Sequence, residues 1–305
     1  MNVGVIGLGV MGKNHVRIYS ELKKVDELYI FDLDSSRINS VLEKYDASPC
    51  SSIEEMLKEV DAISLCVPTS LHYQIAKKII RRKVDCLIEK PITANYDEGI
   101  KLLELLSQYK YVVVGIGHIE RFNPVITEVN NILSSPYLIE IKRHNPSSKR
   151  ITDVSVIEDL MIHDVDVLFN VFFSPSEYKL ISRGNNDVCK ALVEIDKTVA
   201  VLSASRVSLK KIRSIYVEDE IATIDGDLMN QEIFVYRTPK LRDKGSGGYV
   251  QENIIEKVLV NKVEPLRREL KTFIDCVSKG EQFPVTPEQA VRNLKICEEI
   301  RRQIS

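Results

Sequence analysis

Short apolar runs alternate with amphipathic stretches along the first third of the chain. Residues 3–6, 28–31, 62–67, 86–88 and 111–115 are brief, nearly continuous hydrophobic segments, the pattern of strands buried on both faces. Between them, apolar positions recur at helical spacing over roughly 11–23, 35–45, 71–82 and 95–109. Strand and helix in regular alternation predict a doubly wound parallel sheet, a Rossmann-type α/β domain. The grammar changes after residue 118. A helix near 124–133, a strand at 137–144 and a helix at about 158–173 lead into a run of strands at 178–183, 191–195, 199–206, 212–217, 220–224 and 232–236. Strands that follow one another directly pair antiparallel, so an α+β domain with a mainly antiparallel open sheet is expected.

Two helices close the chain, near 264–279 and 287–303. Thr286-Pro287-Glu288-Gln289 is a strong start for the second, with Thr286 as N-cap, Pro287 at the first helical position and Gln289 placed for a capping box. Ala290, Leu294, Cys297 and Ile304 share one face, which should dock on a core. The expected division is a dinucleotide-binding domain over 1–118, with the helix 287–305 packing back on it, and a substrate and oligomerisation domain over 119–286. The most loop-like stretch is Arg242-Asp243-Lys244-Gly245-Ser246-Gly247-Gly248, read as a surface excursion.

Composition narrows the class. A chain of 305 residues exceeds what one core usually supports. With 42 basic and 44 acidic side chains and a net charge of -2, nothing points to nucleic acid or an anionic membrane as partner. Cys50, Cys66, Cys86, Cys189, Cys276 and Cys297 are scattered, without metal-ligand spacing, so no metal is expected and a reducing compartment is the simpler reading. No apolar run approaches the ~18 residues of a membrane span. The apolar start lacks a basic leader, and the protein is expected in the cytoplasm.

The chemistry begins at Gly7-Leu8-Gly9-Val10-Met11-Gly12, which follows the first strand and opens a helix. Gly7 permits the tight turn, Gly9 lets the backbone approach a pyrophosphate, and Gly12 allows helix to pack on strand, with the helix N-terminus facing the phosphates. Val10 and Met11 lie in the same turn. Asp32 ends the next strand, 20 residues beyond Gly12, where a carboxylate binds the adenosine ribose hydroxyls. It would repel a 2′-phosphate, so NAD is expected over NADP, although Arg37 nearby keeps NADP open.

With Val67-Pro68-Thr69-Ser70-Leu71-His72, Glu89-Lys90-Pro91-Ile92 and Asp159-Leu160-Met161-Ile162-His163-Asp164 added, the chain resembles the Gfo/Idh/MocA oxidoreductases over nearly its whole length. Gly117-His118-Ile119-Glu120-Arg121-Phe122-Asn123-Pro124 and Glu264-Pro265-Leu266-Arg267-Arg268-Glu269-Leu270 are similar to a branch containing UDP-N-acetylglucosamine 3-dehydrogenases, which oxidise the sugar C3 hydroxyl to a ketone. The resemblance implies a sugar or nucleotide-sugar substrate, cofactor contacts from Thr69, Ser70, His72, Glu89 and Lys90, and a homodimer or homotetramer formed through the second-domain sheet.

Alcohol oxidation needs a hydride acceptor and a group that takes the hydroxyl proton. Lys90 ends a buried strand where strand ends open on a ligand crevice, and a partly desolvated lysine can serve as general base. Asp159, His163, Asp166 and Asn170 fall on one helix face, and a carboxylate four residues before a histidine can fix its tautomer. The resemblance points His163 at the reacting hydroxyl, with Asp159 behind it. Convergence of the Lys90 ammonium and the His163 imidazole on one carbon is the expectation on which the catalytic reading rests. Which of the two takes the proton is open; Lys90 is preferred. His118, Arg121, Asn123, Arg143 and Asn145 are candidate substrate contacts, although Arg121 and Asn123 could instead cap the next helix. Asp164 has no explanation from sequence. The alternatives are a dehydrogenase of a free sugar, an inositol or another nucleotide sugar, and a non-catalytic NAD-binding regulator.

Overall fold

The structure, a computed structural model, describes residues 1–146, 154–175, 177–237, 242–244, 248–250 and 254–304. Contacts divide the chain into two compact units, Met1–Ile119 with Glu264–Lys295, and Glu120–Val263 with Ile296–Ser305.

In the first unit, β1 (Val3–Ile6), β2 (Leu28–Phe31), β3 (Ser48–Pro49), β4 (Ala62–Leu65), β5 (Asp85–Glu89) and β6 (Val114–Gly117) form one parallel sheet in the order β3-β2-β1-β4-β5-β6. This is the doubly wound dinucleotide order, with its reversal between β1 and β4. β1 and β4 are buried at every position, as their unbroken apolar runs require. The connecting helices are α1 (Val10–Ser20), α2 (Ser35–Leu42), α3 (Ile53–Glu59), α4 (His72–Arg81) and α5 (Tyr96–Leu106). Asp34, Ser52 and Asn95 cap α2, α3 and α5 by accepting from backbone amides two or three residues on. The last strand lies later than its apolar run suggests. Tyr111 is exposed, and the Val113 amide is diverted to the Asp85 carboxylate at 2.7 Å, so ladder pairing runs from Val114.

The second unit holds α6 (Pro124–Ile132) and β7 (Pro136–His144), then a helical segment and an antiparallel run. A π-helical turn (Ile157–Met161), α7 (Ile162–Val167) and a second π-helical turn (Leu168–Phe172) follow one another without a break. β8 (Lys179–Gly184), β9 (Val188–Ile195), β10 (Thr198–Ser205), β11 (Ile212–Asp219), β12 (Ala222–Asp227) and β13 (Glu232–Arg237) follow. β14 (Arg242–Lys244) and β15 (Gly248–Val250) form a separate antiparallel ribbon, and β16 (Ile254–Val258) joins the large sheet at β13. The expected loop at 242–248 is therefore partly paired; its residues 245–247 lie outside the described ones. The large sheet runs β16-β13-β12-β11-β7-β10-β9-β8 and is antiparallel except between β7 and β10. The α/β plus mainly antiparallel α+β architecture stands.

Period-two alternation gives this sheet a dry face. Ile139, Ile141, Ala191, Val193, Ala200, Leu202, Ile215, Val217, Ile224, Ile233 and Val235 are buried. The opposite face mixes charge with partly exposed apolar side chains, among them Ile181, Leu192, Tyr236 and Ile255.

α8 (Pro265–Lys279) and α9 (Pro287–Arg301) close the chain. The sequence division assigned α8 to the second domain, but it belongs to the first unit, packing on α1 with Arg17–Glu264 and Lys24–Asp275 ion pairs. Its apolar face could have covered either core, and periodicity does not say which. α9 opens with the reciprocal Thr286–Gln289 capping box. Its residues through Lys295 belong to the first unit and those from Ile296 to the second, so it does not serve one domain alone. Ile300 takes the buried place expected of Ile304, which lies past the helix end.

Candidate active site

The glycine turn has the shape its spacing predicts. Gly7 sits at φ +90, where a Cβ would meet the Cys66 backbone at 2.8 Å, and a Cβ on Gly12 would lie 1.8 Å from the Gly7 carbonyl oxygen. Neither position accepts a side chain without moving α1 off the sheet. A Cβ on Gly9, by contrast, would meet nothing within 4 Å. Gly9 precedes the first turn of α1 and opens on a cavity of about 820 Å³. Gly7, Gly9, Val10 and Met11 after β1, Asp32 and Arg37 after β2, and Cys66, Val67 and Pro68 after β4 line it. A helix N-terminus, an open backbone approach and a carboxylate at the next strand end fit a dinucleotide.

Asp32 shapes this crevice as well as lining it. Its Oδ2 accepts from the Leu8 amide at 2.6 Å and its Oδ1 from the Asp34 amide at 2.9 Å, so the acidic strand end fixes the glycine turn. The Arg37 guanidinium lies 3.5 Å from Asp32 and 3.4 Å from Asp34, and its charge is already balanced. Sequence reasoning missed Ser51, Ser52, Ile53 and Glu54 in the lining. They begin a short helix whose Ser52 N-cap, three residues before Glu55, was the available signal.

Other residues expected at the cofactor are placed differently. Thr69 and Ser70 begin a short 3₁₀ turn whose preceding Pro68 and last residue Leu71 line the cavity. His72 is buried, with Nδ1 2.8 Å from the Pro91 carbonyl and Nε2 2.9 Å from the Val67 carbonyl. It ties the turn after β4 to the turn after β5 instead of facing the crevice, and burial holds its proton affinity below the usual histidine value. Glu89 is likewise turned inward, its Oε1 2.9 Å from His15 Nε2 and its Oε2 accepting from the Lys90 amide at 3.2 Å. Lys90 follows at the end of β5, half-buried. His15, on α1, is fully buried.

In the second unit an ionic cluster explains several polar residues. Arg143 is buried, donating Nε and Nη2 to Asp164 Oδ1 at 2.9 and 2.7 Å and Nη1 to Glu120 Oε1 at 2.8 Å. Each guanidinium nitrogen is engaged and the side chain is buried, so Arg143 is an interior group and not the substrate contact expected; the unexplained Asp164 is its partner. Burial pushes the Glu120 carboxyl up, but Arg143 and Arg213 more than offset it and the group sits below its ordinary value; for Asp164 burial outweighs Arg143 and the group sits above. Arg121 holds Asp166 bidentately at 2.6 and 3.0 Å, and Asn170 donates to Asp166 at 3.1 Å. Asn123 caps α6 and donates to Glu120 and to the Leu228 carbonyl. Asn123 thus takes the capping role that sequence left open, and Arg121 pairs with Asp166. Of the polar stripe, Asp166 and Asn170 bond to each other, and Asp159 and His163 are both partly exposed one turn apart. Asp159 Oδ2 lies 3.8 Å from Arg206. In the first unit His118 is buried, 3.4 Å from Asn293. Asn145 donates its amide to the Ser205 carbonyl.

A glycine-turned crevice at the switch point of a parallel sheet, with a lysine ending the neighbouring strand, defines a dinucleotide-dependent oxidoreductase. Residues 1–118 match the Gfo/Idh/MocA model, described as an oxidoreductase family with an NAD-binding Rossmann fold. The UDP-N-acetylglucosamine 3-dehydrogenase of Acidithiobacillus ferrooxidans is 30% identical over 91% of this chain and 89% of its own. One of its crystal structures superposes with a TM-score of 0.88 at 26% identity, covering 100% of this chain and 97% of that one. An inositol 2-dehydrogenase of Pseudarthrobacter chlorophenolicus is 23% identical over 92% of this chain and 87% of its own. The chain belongs to the Gfo/Idh/MocA oxidoreductase family and is an NAD(P)-dependent dehydrogenase of CH–OH groups. No helix among the described residues is long and apolar enough to cross a membrane.

Replacing Arg143 by Met removes the cation paired with the buried Asp164 and leaves Glu120 to Arg213 and Asn123, and is expected to cost about 3–5 kcal/mol. Urea denaturation should show this, with the deficit narrowing as pH falls toward the ordinary carboxylate range, because burial without Arg143 pushes the Asp164 carboxyl further up and it protonates first in the folded state. A variant as stable as wild type, but with weakened substrate binding, would return Arg143 to the substrate site.

Proposed function

We propose that the protein oxidises a secondary hydroxyl of a sugar to a ketone with NAD, and that its substrate is the C3 hydroxyl of UDP-N-acetylglucosamine. The observation that carries this reading is the placement of Lys90 at the carboxyl end of β5, beside the strand whose following turn lines the dinucleotide crevice. The chain-long likeness to a UDP-N-acetylglucosamine 3-dehydrogenase supports the substrate. Likeness to inositol 2-dehydrogenases keeps a polyol, a free sugar or another nucleotide sugar as the second reading. A regulator that only binds NAD would need neither Lys90 nor His163.

Bound NAD⁺ supplies the hydride acceptor. Lys90 takes the hydroxyl proton as the C–H bond breaks, and His163 holds the hydroxyl oxygen by a hydrogen bond, with Asp159 one turn before it biasing the imidazole tautomer. Asp32 selects NAD, because a 2′-phosphate would meet a carboxylate already fixed by two amides.

NADH formation against a panel of UDP-sugars, free sugars and inositols, with a carbonyl trap, should show turnover with UDP-N-acetylglucosamine; turnover confined to inositols would replace the substrate. Lys90→Met should lower kcat by about 10²-fold or more with little change in KM, and His163→Ala should lower it to a lesser degree. Unchanged kcat with only a raised KM in Lys90→Met would remove Lys90 as base. Asp32→Ala should weaken NADH binding by about tenfold, roughly 1.4 kcal/mol, while narrowing the preference over NADPH in a fluorescence titration. Tighter NADPH binding by the unaltered protein would overturn the cofactor choice.

The outer face of the eight-stranded sheet, where Ile181, Leu192, Tyr236 and Ile255 are exposed, is the proposed surface of a homodimer or homotetramer. Light scattering should give a multiple of the 34.7 kDa chain mass, reduced by Ile181→Lys with Leu192→Lys. A monomeric wild type would exclude this assembly.

A further inference from the structure

Behind Lys90 lies a buried pair of titratable groups that the proposed chemistry does not use. His15 projects from α1 one turn after Gly12, and its Nε2 meets Glu89 Oε1 at 2.9 Å; side-chain exposures are 1% and 10%. The other Glu89 oxygen accepts from the Lys90 amide. On the far side, β6 offers no side chain. A Cβ on Gly117 would lie 3.1 Å from the Glu89 carboxyl, so the glycine makes room for it. The ionisable groups that sense the Glu89 charge are His15 from α1, Lys90 beside it, His72 from α4 and the Cys66 thiol after β4; Cys66 in turn senses Glu269 from α8. The Cys66 thiol is pushed up by burial and stays neutral, and His72 is held below its usual value. That leaves His15 and Lys90 as the positive partners of Glu89.

Burial by itself would push the Glu89 carboxyl up. The hydrogen bond and charge of His15, with the Lys90 charge, reverse this, and the group sits below the ordinary carboxylate range. Electrostatic influence is mutual: if the lysine charge favours the carboxylate, the carboxylate favours the ammonium. A pin joining α1 to β5 would need only a neutral hydrogen-bonding pair, whereas a carboxylate held ionised in a dry interior next to a catalytic amine does more.

We propose that His15 and Glu89 are positioning residues for Lys90: the imidazole keeps Glu89 ionised, and that carboxylate fixes the Lys90 backbone and governs how readily its amine takes a proton. The catalytic consequence rests on the reading of Lys90 as proton acceptor; the electrostatic one does not. Lys90 then alternates between an ammonium balanced by Glu89 and a neutral amine, and the proton received from the sugar hydroxyl stays beside an anion until solvent removes it.

The pH dependence of acylation of Lys90 by acetic anhydride, read by peptide mass spectrometry on the protein without added nucleotide, tests this directly. Glu89→Gln keeps the side-chain shape and the bond from the Lys90 amide but removes the charge. Its labelling profile should move to lower pH by about one pH unit, so that Lys90 reacts about tenfold faster on the acid side. His15→Ala should move the profile the same way, because the unpartnered buried carboxyl takes up a proton, and His15→Gln, which can still donate to Glu89, should restore it. If His15→Ala does not fold, Glu89→Gln decides alone. A folded Glu89→Gln whose profile coincides with wild type overturns the proposal and leaves a structural pin. In turnover, the acid limb of kcat/KM should follow the labelling midpoint. If Lys90→Met retains its chemistry while the labelling shift is seen, the base assignment fails and the electrostatic coupling stands.

Discussion

The close approach of α1 to the parallel sheet is the constraint on which the first unit depends. With no side chain on Gly12, the first turn of the helix lies against the Gly7 carbonyl and the Cys66 side chain. The buried stripe of α1 continues one and two turns on with His15 and Tyr19, both fully buried. Each reaches a polar partner in the sheet, His15 at Glu89 and Tyr19 at the Ser64 hydroxyl, 2.7 Å away. A helix set farther out would leave these groups buried and unsatisfied, which costs more than either bond contributes. The same approach puts the helix N-terminus over the crevice at the point where strand order reverses. Nucleotide-binding geometry and the setting of Lys90 thus share one steric cause.

The second unit is organised around charge taken out of water. Arg143 reaches Glu120, ahead of α6, and Asp164 on α7, while Arg121 and Asp166 repeat the arrangement near the surface. Such a cluster contributes less net stability than an apolar core of the same volume, but it punishes wrong registers, because a one-residue slip of β7 would turn Arg143 to the outer face and take the paired cation from the buried Asp164. The cluster ties α7 to β7 of the sheet.

Several polar groups of the first unit brace the crevice walls. His72 joins the turns after β4 and β5 through two carbonyls, and Asp32 braces the glycine turn through two amides while facing the crevice. Polar residues near a ligand site divide in this way into those that meet the ligand and those that hold its walls. The hydrogen-bond inventory of each group, more than its distance from the crevice, decides which it is.

Local pattern determined a great deal. The apolar runs at β1, β4 and β5, the alternation in β8 to β13, the Thr286–Gln289 capping box and the glycine turn are written within a few residues each, because period, capping and positive φ are local properties. Lys90 and His163 were nominated as candidates on equally local grounds, residue type and immediate neighbours. What tertiary structure alone decided is partnership. That Arg143 belongs to Asp164 and Glu120, that His15 belongs to Glu89 across 74 residues, that β7 lies parallel to β10, and that α8 covers the first unit are facts about distant segments meeting. An arginine at a strand end reads the same whether it faces a phosphate or a buried carboxylate. The free energy that chooses between them comes from desolvation and pairing, and these exist only once the chain has closed around them.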